Sequence, residues 1–192
     1  MRRASPSLQA ELTHAELGAA LREHAYLEGD FVLRSGKRSR YYLDKYRFET
    51  RPDLLRELGD RLAAAIAEHA PRAARIAGPE LGAVTLAAAA SLASGLPFLI
   101  VRKEAKSYGT AKRLEGVFET GEEVCLVEDV VTSGGAAVGA VEALREAGLV
   151  CRAAICVVDR EEGGADALAR HAVRLRPLFK ASELLENRTV RR

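Results

Sequence analysis

The chain has 192 residues, of which 48% are hydrophobic and 29% charged, the balance of a folded domain with a sizeable core rather than of a disordered or fibrous chain. Its formal net charge of +2 is too small to point to nucleic acid as a partner. Six of the 29 basic residues are lysine and the rest arginine, a bias that fits genome base content or a hot habitat better than it fits any function.

In chain order, "MRRASPSLQAELTHAEL" has arginines but no apolar run of signal-peptide length. Residues 11–27 have helical spacing, with Leu12, Leu17, Ala20 and Leu21 on one side. In "FVLRSGKRSRYYLD" two short extended runs flank Ser35-Gly36, the pattern of a hairpin. "TRPDLLRELGDRLAAAIAEHA" reads as a helix with Thr50 as its cap and Pro52 in its first turn. After Pro71 the pattern alternates: "ARIAG" strand, "LGAVTLAAAASLAS" helix, "PFLIV" strand, "EVCLVEDV" strand, "GAAVGAVEALREAG" helix, "VCRAAICVVD" strand. Short apolar strands alternating with helices predict an α/β fold, a parallel sheet flanked by helices. No repeat or linker divides the chain, so residues 1–192 read as a single domain. The first 45 residues or so fall outside the alternation and are expected to form a small hood beside the carboxyl ends of the strands, where open α/β sheets bind ligands.

The most apolar window, "LGAVTLAAAASLASGLPFLIV", is divided by Gly95 and Pro97 into a helix and a strand and is no membrane span. Cys125, Cys151 and Cys156 lie in apolar, β-branched runs. Their odd number and the lack of a CxxC spacing point to buried free thiols rather than metal ligands or disulfides. The four histidines, at 14, 24, 69 and 171, form no cluster. The expectation is a soluble, cytoplasmic protein.

The chemistry concentrates in "VEDVVTSGGA", residues 127–136. A buried strand ends in Glu128 and Asp129, and the turn Thr132-Ser133-Gly134-Gly135 leads into a helix starting near Ala136. Backbone N–H groups of such a turn, with the helix N-terminus, bind phosphate. The carboxylates repel phosphate but accept hydrogen bonds from vicinal hydroxyls, so the two halves together describe a sugar phosphate. Neither a GxxxxGK[ST] loop nor a GxGxxG fingerprint after the first strand is present. A second stretch, residues 102–122, is rich in charge and contains Gly109, Gly116 and Gly121. A connection this long in a compact domain reads as a lid or binding loop.

"VEDVVTSGGA" resembles the phosphoribosyl-diphosphate (PRPP) motif of the type I phosphoribosyltransferases. "FVLRSGKRSRYYLD", "IAGPELGAVTLA", "VRKEAKSYGTAKRLEG" and "VVDREEGG" resemble, in order, pieces of the orotate phosphoribosyltransferase branch. The resemblance implies that orotate and PRPP, with Mg²⁺, give orotidine 5′-monophosphate and diphosphate. It implies that Glu128 and Asp129 hold the ribose hydroxyls, and that Val130, Val131, Thr132, Ser133, Gly134, Gly135 and Ala136 hold the 5′-phosphate. Arg102, Lys103 and Lys106 match positions that meet PRPP, at the start of and within a mobile loop of about residues 103–121, where Tyr108 can also donate a hydrogen bond to a phosphate oxygen; Lys106 and Asp129 are the catalytic candidates. Arg160 and Thr132 match orotate-contacting positions, an arginine fork being suited to the carboxylate that orotate has and uracil lacks. Tyr41 and Tyr42 are candidates to pack on the base, Tyr42 being carried as the binding residue, and Arg34 stands where several relatives have lysine.

The family also implies a homodimer whose loops reach the partner's site, with Mg²⁺ held mainly by the substrate rather than by a protein cage. Two departures stand out. Ser107-Tyr108 replaces a common Asp-His, and Glu80-Leu81 replaces the Tyr-Lys of some members, so Glu80 is not expected to touch diphosphate. The rival readings are a phosphoribosyltransferase for a purine or uracil, or a PRPP-sensing regulator of the same fold. Neither nucleic acid nor membrane is expected as a partner.

Overall fold

The computed structural model describes residues 11–32, 38–104 and 113–186. The chain opens with α1 (His14–Ala25), whose start is fixed by a capping box: the Glu16 amide donates to the Thr13 hydroxyl, and the Glu16 carboxylate accepts from the Thr13 amide. Its Leu17, Leu21 and Ala25 are buried in the main core. Strands β1 (Tyr26–Val32) and β2 (Arg38–Leu43) pair antiparallel as the expected hairpin; its Ser35-Gly36 turn and Arg34 lie outside the described residues.

The next segment differs from expectation. A short helix, α2 (Tyr46–Glu49), precedes α3 (Pro52–His69), and Thr50 is not the cap of α3. Arg51 holds that place in an extended conformation and makes no side-chain cap bond, because Pro52 at the first helical position disfavours a helical residue before it. The Thr50 hydroxyl, just past the end of α2, instead donates 2.6 Å to the Tyr46 carbonyl at its start.

The remaining elements are β3 (Arg75–Pro79), α4 (Gly82–Ser94), β4 (Phe98–Val101), β5 (Leu114–Glu115), β6 (Glu123–Val131), α5 (Gly135–Glu146), β7 (Val150–Asp159), α6 (Gly164–Arg170), β8 (Arg174–Lys180) and α7 (Ala181–Glu186). The six-stranded sheet has the order β5-β4-β3-β6-β7-β8, parallel throughout except for the antiparallel edge strand β5. Two apolar clusters cover its faces. One takes Leu58, Leu62 and Ile66 of α3, Leu86 and Ala90 of α4 and the buried face of α1; the other takes Val141 and Leu144 of α5 and Leu168 of α6. The expected parallel sheet flanked by helices is the observed architecture.

After β3 the chain moves outward to β4, then returns across the sheet to β6 on the other side of β3. The order therefore reverses between β3 and β6, and α4 and α5 leave that junction toward opposite faces. A crevice opens at such a reversal, outside the carboxyl ends of the two strands. No described helix is long and apolar enough to cross a membrane.

Helices α3 and α4 approach closely at Gly59, where an added Cβ would lie 2.9 Å from the Ala89 carbonyl carbon. Gly59→Ala should therefore lower stability by about 1–3 kcal/mol through overpacking, although alanine is the better helix former. Urea denaturation checks this; a raised unfolding midpoint would show that the two helices separate freely.

Candidate active site

The crevice between β3 and β6 holds a cluster of buried charges. Glu128 and Asp129 end β6 and are 7% and 4% exposed. From α2 and the residue before it come Glu49, 2% exposed, and Lys45, whose Nζ lies 2.5 Å from Asp129 Oδ2. The other Asp129 oxygen, Oδ1, accepts the Val130 amide at 2.5 Å. Gly82, the first residue of α4, closes the cluster from the β3 side. A Cβ there would meet Asp129 Oδ2 at 2.1 Å and both Glu49 Oε1 and Lys45 Nζ at 2.9 Å. The three side chains thus converge on the space that the missing methyl leaves.

Burial sets the protonation of this cluster. It pushes the Glu49 carboxyl up to about 8, reinforced by the negative charge of Asp129. It pushes Glu128 to about 8 as well, again with Asp129 as the next cause. Burial works against the Lys45 charge too, but Asp129 beside it outweighs that and raises the ammonium above its ordinary value. Near neutral pH the cluster is then one ion pair, Lys45 with Asp129, flanked by two carboxylic acids. Glu49 Oε1 is buried without a hydrogen-bond partner among the described residues.

Beside the acids lies the turn into α5. Gly134 is required there: its φ is +83°, and a Cβ would stand 3.0 Å from Gly164 Cα. Gly164 is as tightly placed, with a Cβ position 2.3 Å from Val131 Cγ1 and 2.6 Å from the Thr132 carbonyl oxygen. The turn after β6 is thereby fixed against the turn after β7. Thr132, Ser133, Gly135 and Ala136 remain exposed, and no side chain caps α5. Its first amides are thus free of any side-chain cap, the arrangement by which a helix start receives an anion. Val131 is buried under Gly164 and Val130 packs on the main core, so both contribute backbone.

Arg160 follows β7, its amide donating 2.8 Å to the Val131 carbonyl, next to Thr132. Its guanidinium is buried: one terminal nitrogen pairs with Glu162 at 2.8 Å, the central carbon lies 4.8 Å from the Tyr41 ring centroid, and Nε has no partner among the described residues. Tyr41, not Tyr42, stacks on Arg160. Tyr42 is the next residue on the same strand, points to the other face, and meets Phe31 with ring centroids 5.6 Å apart.

The segment expected to form a lid begins at the end of β4. The Arg102 amide donates to the Arg113 carbonyl at 2.7 Å, and its guanidinium stands 3.9 Å from Glu115. The Lys103 side chain is exposed, while its amide donates 2.7 Å to Glu80 Oε1. Lys106, Ser107 and Tyr108 lie outside the described residues. The loop 79–82 contains a cis peptide between Glu80 and Leu81.

Cys125, Cys151 and Cys156 are free and buried, as expected. Burial raises the Cys151 thiol to about 11 and the other two well above their ordinary value, so none is a ready nucleophile. Among the described residues no group of three or more His, Cys, Asp or Glu is arranged to hold a metal ion.

Sequence reasoning placed Glu128, Asp129, residues 130–136 and Arg160 around one crevice, and the structure brings them together. It missed Lys45 and Glu49. Their signal was a lysine and a glutamate four apart in "DKYRFET", which reads as an ordinary exposed helical pair unless the helix is known to dip into the sheet's end.

Parallel strands, acids at the end of β6 and a glycine turn into α5 at the reversal define a type I phosphoribosyltransferase. An orotate phosphoribosyltransferase of Methanocella arvoryzae is 53% identical over 157 residues, covering 82% of this chain and 88% of the relative. The crystal structure of orotate phosphoribosyltransferase from Aeropyrum pernix superposes with a TM-score of 0.80 at 33% identity, covering 89% of this chain and 97% of that one. That of Mycobacterium tuberculosis, determined in complex with PRPP, gives 0.75 at 29% identity over 89% and 98% of the two chains. No family model matches the chain. The chain belongs to the orotate phosphoribosyltransferase family and is a phosphoribosyl-transferring enzyme.

The raised Glu49 carboxyl makes stability depend on pH. A group whose folded value lies above its unfolded one stabilises the fold below its unfolded value, near 4.5, and loses that contribution as pH rises to about 8. Between pH 5 and 8, Glu49→Gln should lose less stability than the parent chain, with a slope shallower by up to about 1.4 kcal/mol per pH unit. Urea titrations at three pH values measure this, and parallel curves would mean that Glu49 is ionised throughout.

Proposed function

We propose that the protein transfers the 5-phosphoribosyl group of PRPP to orotate, giving orotidine 5′-monophosphate and diphosphate. The observation that carries the choice of orotate is Arg160. It is a buried guanidinium with an unpartnered Nε, held under Tyr41 and beside Thr132 at the edge of the phosphate turn. A buried donor without a partner is costly, and a planar carboxylate supplies one.

In this reading Glu128 and Asp129 hold the ribose hydroxyls. A protonated Glu128 both donates to and accepts from a hydroxyl, and ionised Asp129 accepts. The backbone of residues 130–136 receives the 5′-phosphate. Arg102, Lys103, Lys106 and Tyr108 meet the diphosphate as its bond to C1 breaks and the bond from C1 to the orotate ring nitrogen forms, that nitrogen giving up its proton. Positive charge grows on the sugar and negative charge on the leaving group, so the roles assigned to Asp129 and Lys106 are of opposite sign. Mg²⁺ bound with the diphosphate supplies further neutralisation. The side chains present fit an ion carried on substrate oxygens, since Asp129 Oδ2 is already paired with Lys45.

Thr132 and Arg160 orient orotate, with Tyr41 stacked on Arg160 and Tyr42 at the rim. Catalysis is positioning and electrostatics, with no covalent nucleophile. The chain acts as one domain whose hairpin lies over the crevice. It works as a homodimer in which residues 103–121 close over the partner's site and keep water from the activated sugar. We place it in the cytoplasm.

With PRPP and Mg²⁺, orotate should lose its ultraviolet absorbance while uracil and hypoxanthine release no diphosphate. Arg160→Ala should lower kcat/KM for orotate roughly 10²–10³-fold. Turnover of another base in preference to orotate would remove the substrate claim and leave the PRPP site standing.

A further inference from the structure

Lys45 stands apart from the residues assigned above. It comes from the join between the hairpin and α2, not from any strand end or glycine turn, yet its ammonium reaches the carboxylate at the end of β6. Three carboxyl groups surround it. Asp129 is in contact, and Glu49 and Glu128 are near enough for their charges to be coupled to its own. Asp44 acts on Glu49, and the Tyr46 ring lies 5.4 Å from Lys45 Nζ. No other cation forms an ion pair with these acids among the described residues. The side chain is 31% exposed, against 5% for Asp129, so the lysine spans from the rim to the floor of the crevice.

Without that ammonium, Asp129 would be a buried anion beside two further acids, with the Val130 amide still on one of its oxygens. Such a carboxylate takes up a proton or turns toward water. With it, one Asp129 oxygen is fixed by Val130 and the other by Lys45, while each oxygen keeps a lone pair for a ligand. The absent side chain of Gly82 leaves the space in which this arrangement forms.

We propose that Lys45 is a positioning residue for PRPP: its ammonium, held over Gly82, keeps Asp129 aimed so that it accepts the ribose hydroxyls. This rests on the proposed binding of PRPP at Asp129. It assigns to the hairpin–α2 join a part in substrate binding separate from any packing role. Lys45 is paired with Asp129 and is not among the residues assigned to the diphosphate or the base, so its contribution falls on PRPP affinity and not on orotate.

The test compares the parent chain with Lys45→Met, which keeps the length of the side chain, and Lys45→Arg, which keeps the charge. PRPP binding is measured by calorimetry with Mg²⁺ at pH 7.5, alongside steady-state kinetics for both substrates. The methionine variant should bind PRPP about 10- to 100-fold more weakly, with the KM for orotate within about twofold of the parent. Arginine should restore most of the affinity. PRPP affinity unchanged in Lys45→Met overturns the proposal. So does a loss that arginine does not restore, since that describes a structural role. A parent chain that fails to bind PRPP at all would instead overturn the functional reading on which the proposal rests.

Discussion

One buried ion pair sits where everything else in this molecule meets. Lys45 and Asp129 join the hairpin side of the structure to the central strand, at the reversal of strand order and against the first residue of α4. Burying charge at that point is costly, and two further carboxyls are buried beside it. Replacing all four groups with apolar side chains would give a better core. In the proposed function they grip a sugar bearing two hydroxyls with acceptors that do not also draw water to an electrophilic carbon.

The same junction brings opposite fields together. Helices α4 and α5 start on the two sides of the crevice, and each directs the positive end of its backbone dipole toward it. The acids occupy the strand end between them. A ligand with phosphate at both ends and hydroxyls in the middle matches that alternation, whereas a simple polyanion would be repelled from the centre. Glycines make the alternation compact: Gly82 admits the acids, and Gly134 and Gly164 let two turns touch through their backbones.

Most of the sheet was legible in the sequence because parallel strands, buried on both faces, read as continuous apolar runs broken by helices. The strand "VRLRPLFK" was harder. Its arginines and Pro177 look wrong for a strand until β8 is seen to be the edge, where a missing donor is tolerated. At the site, Glu128, Asp129 and the glycine turn were legible because their types and order follow from the chemistry of a sugar phosphate. Lys45 and Glu49 were not. Nothing local distinguishes a lysine and a glutamate four apart on a solvent face from the same pair folded onto a strand end, and the short α2 that carries Glu49 has too few residues to show a period. The choice between Tyr41 and Tyr42 turned on which face of β2 met Arg160, which depends on hairpin orientation and not on composition.

Glu80 resolves a conflict that the sequence raises. An acid in the loop after β3 stands where diphosphate would be repelled, yet its carboxylate accepts the Lys103 amide and its own amide donates to the Val101 carbonyl. The residue thus ties the loop after β3 to the segment that follows β4, with its charge directed at a backbone donor. In the proposed function the positive charge over the leaving group then comes from that following segment, at whose start Arg102 stands near Glu115 and the Lys103 side chain is exposed. On that reading the acids are fixed in the floor of the site, and cations closing over it would stabilise charge separation across the breaking bond while excluding water, so hydrolysis of the activated sugar would be held back by the same movement that permits transfer.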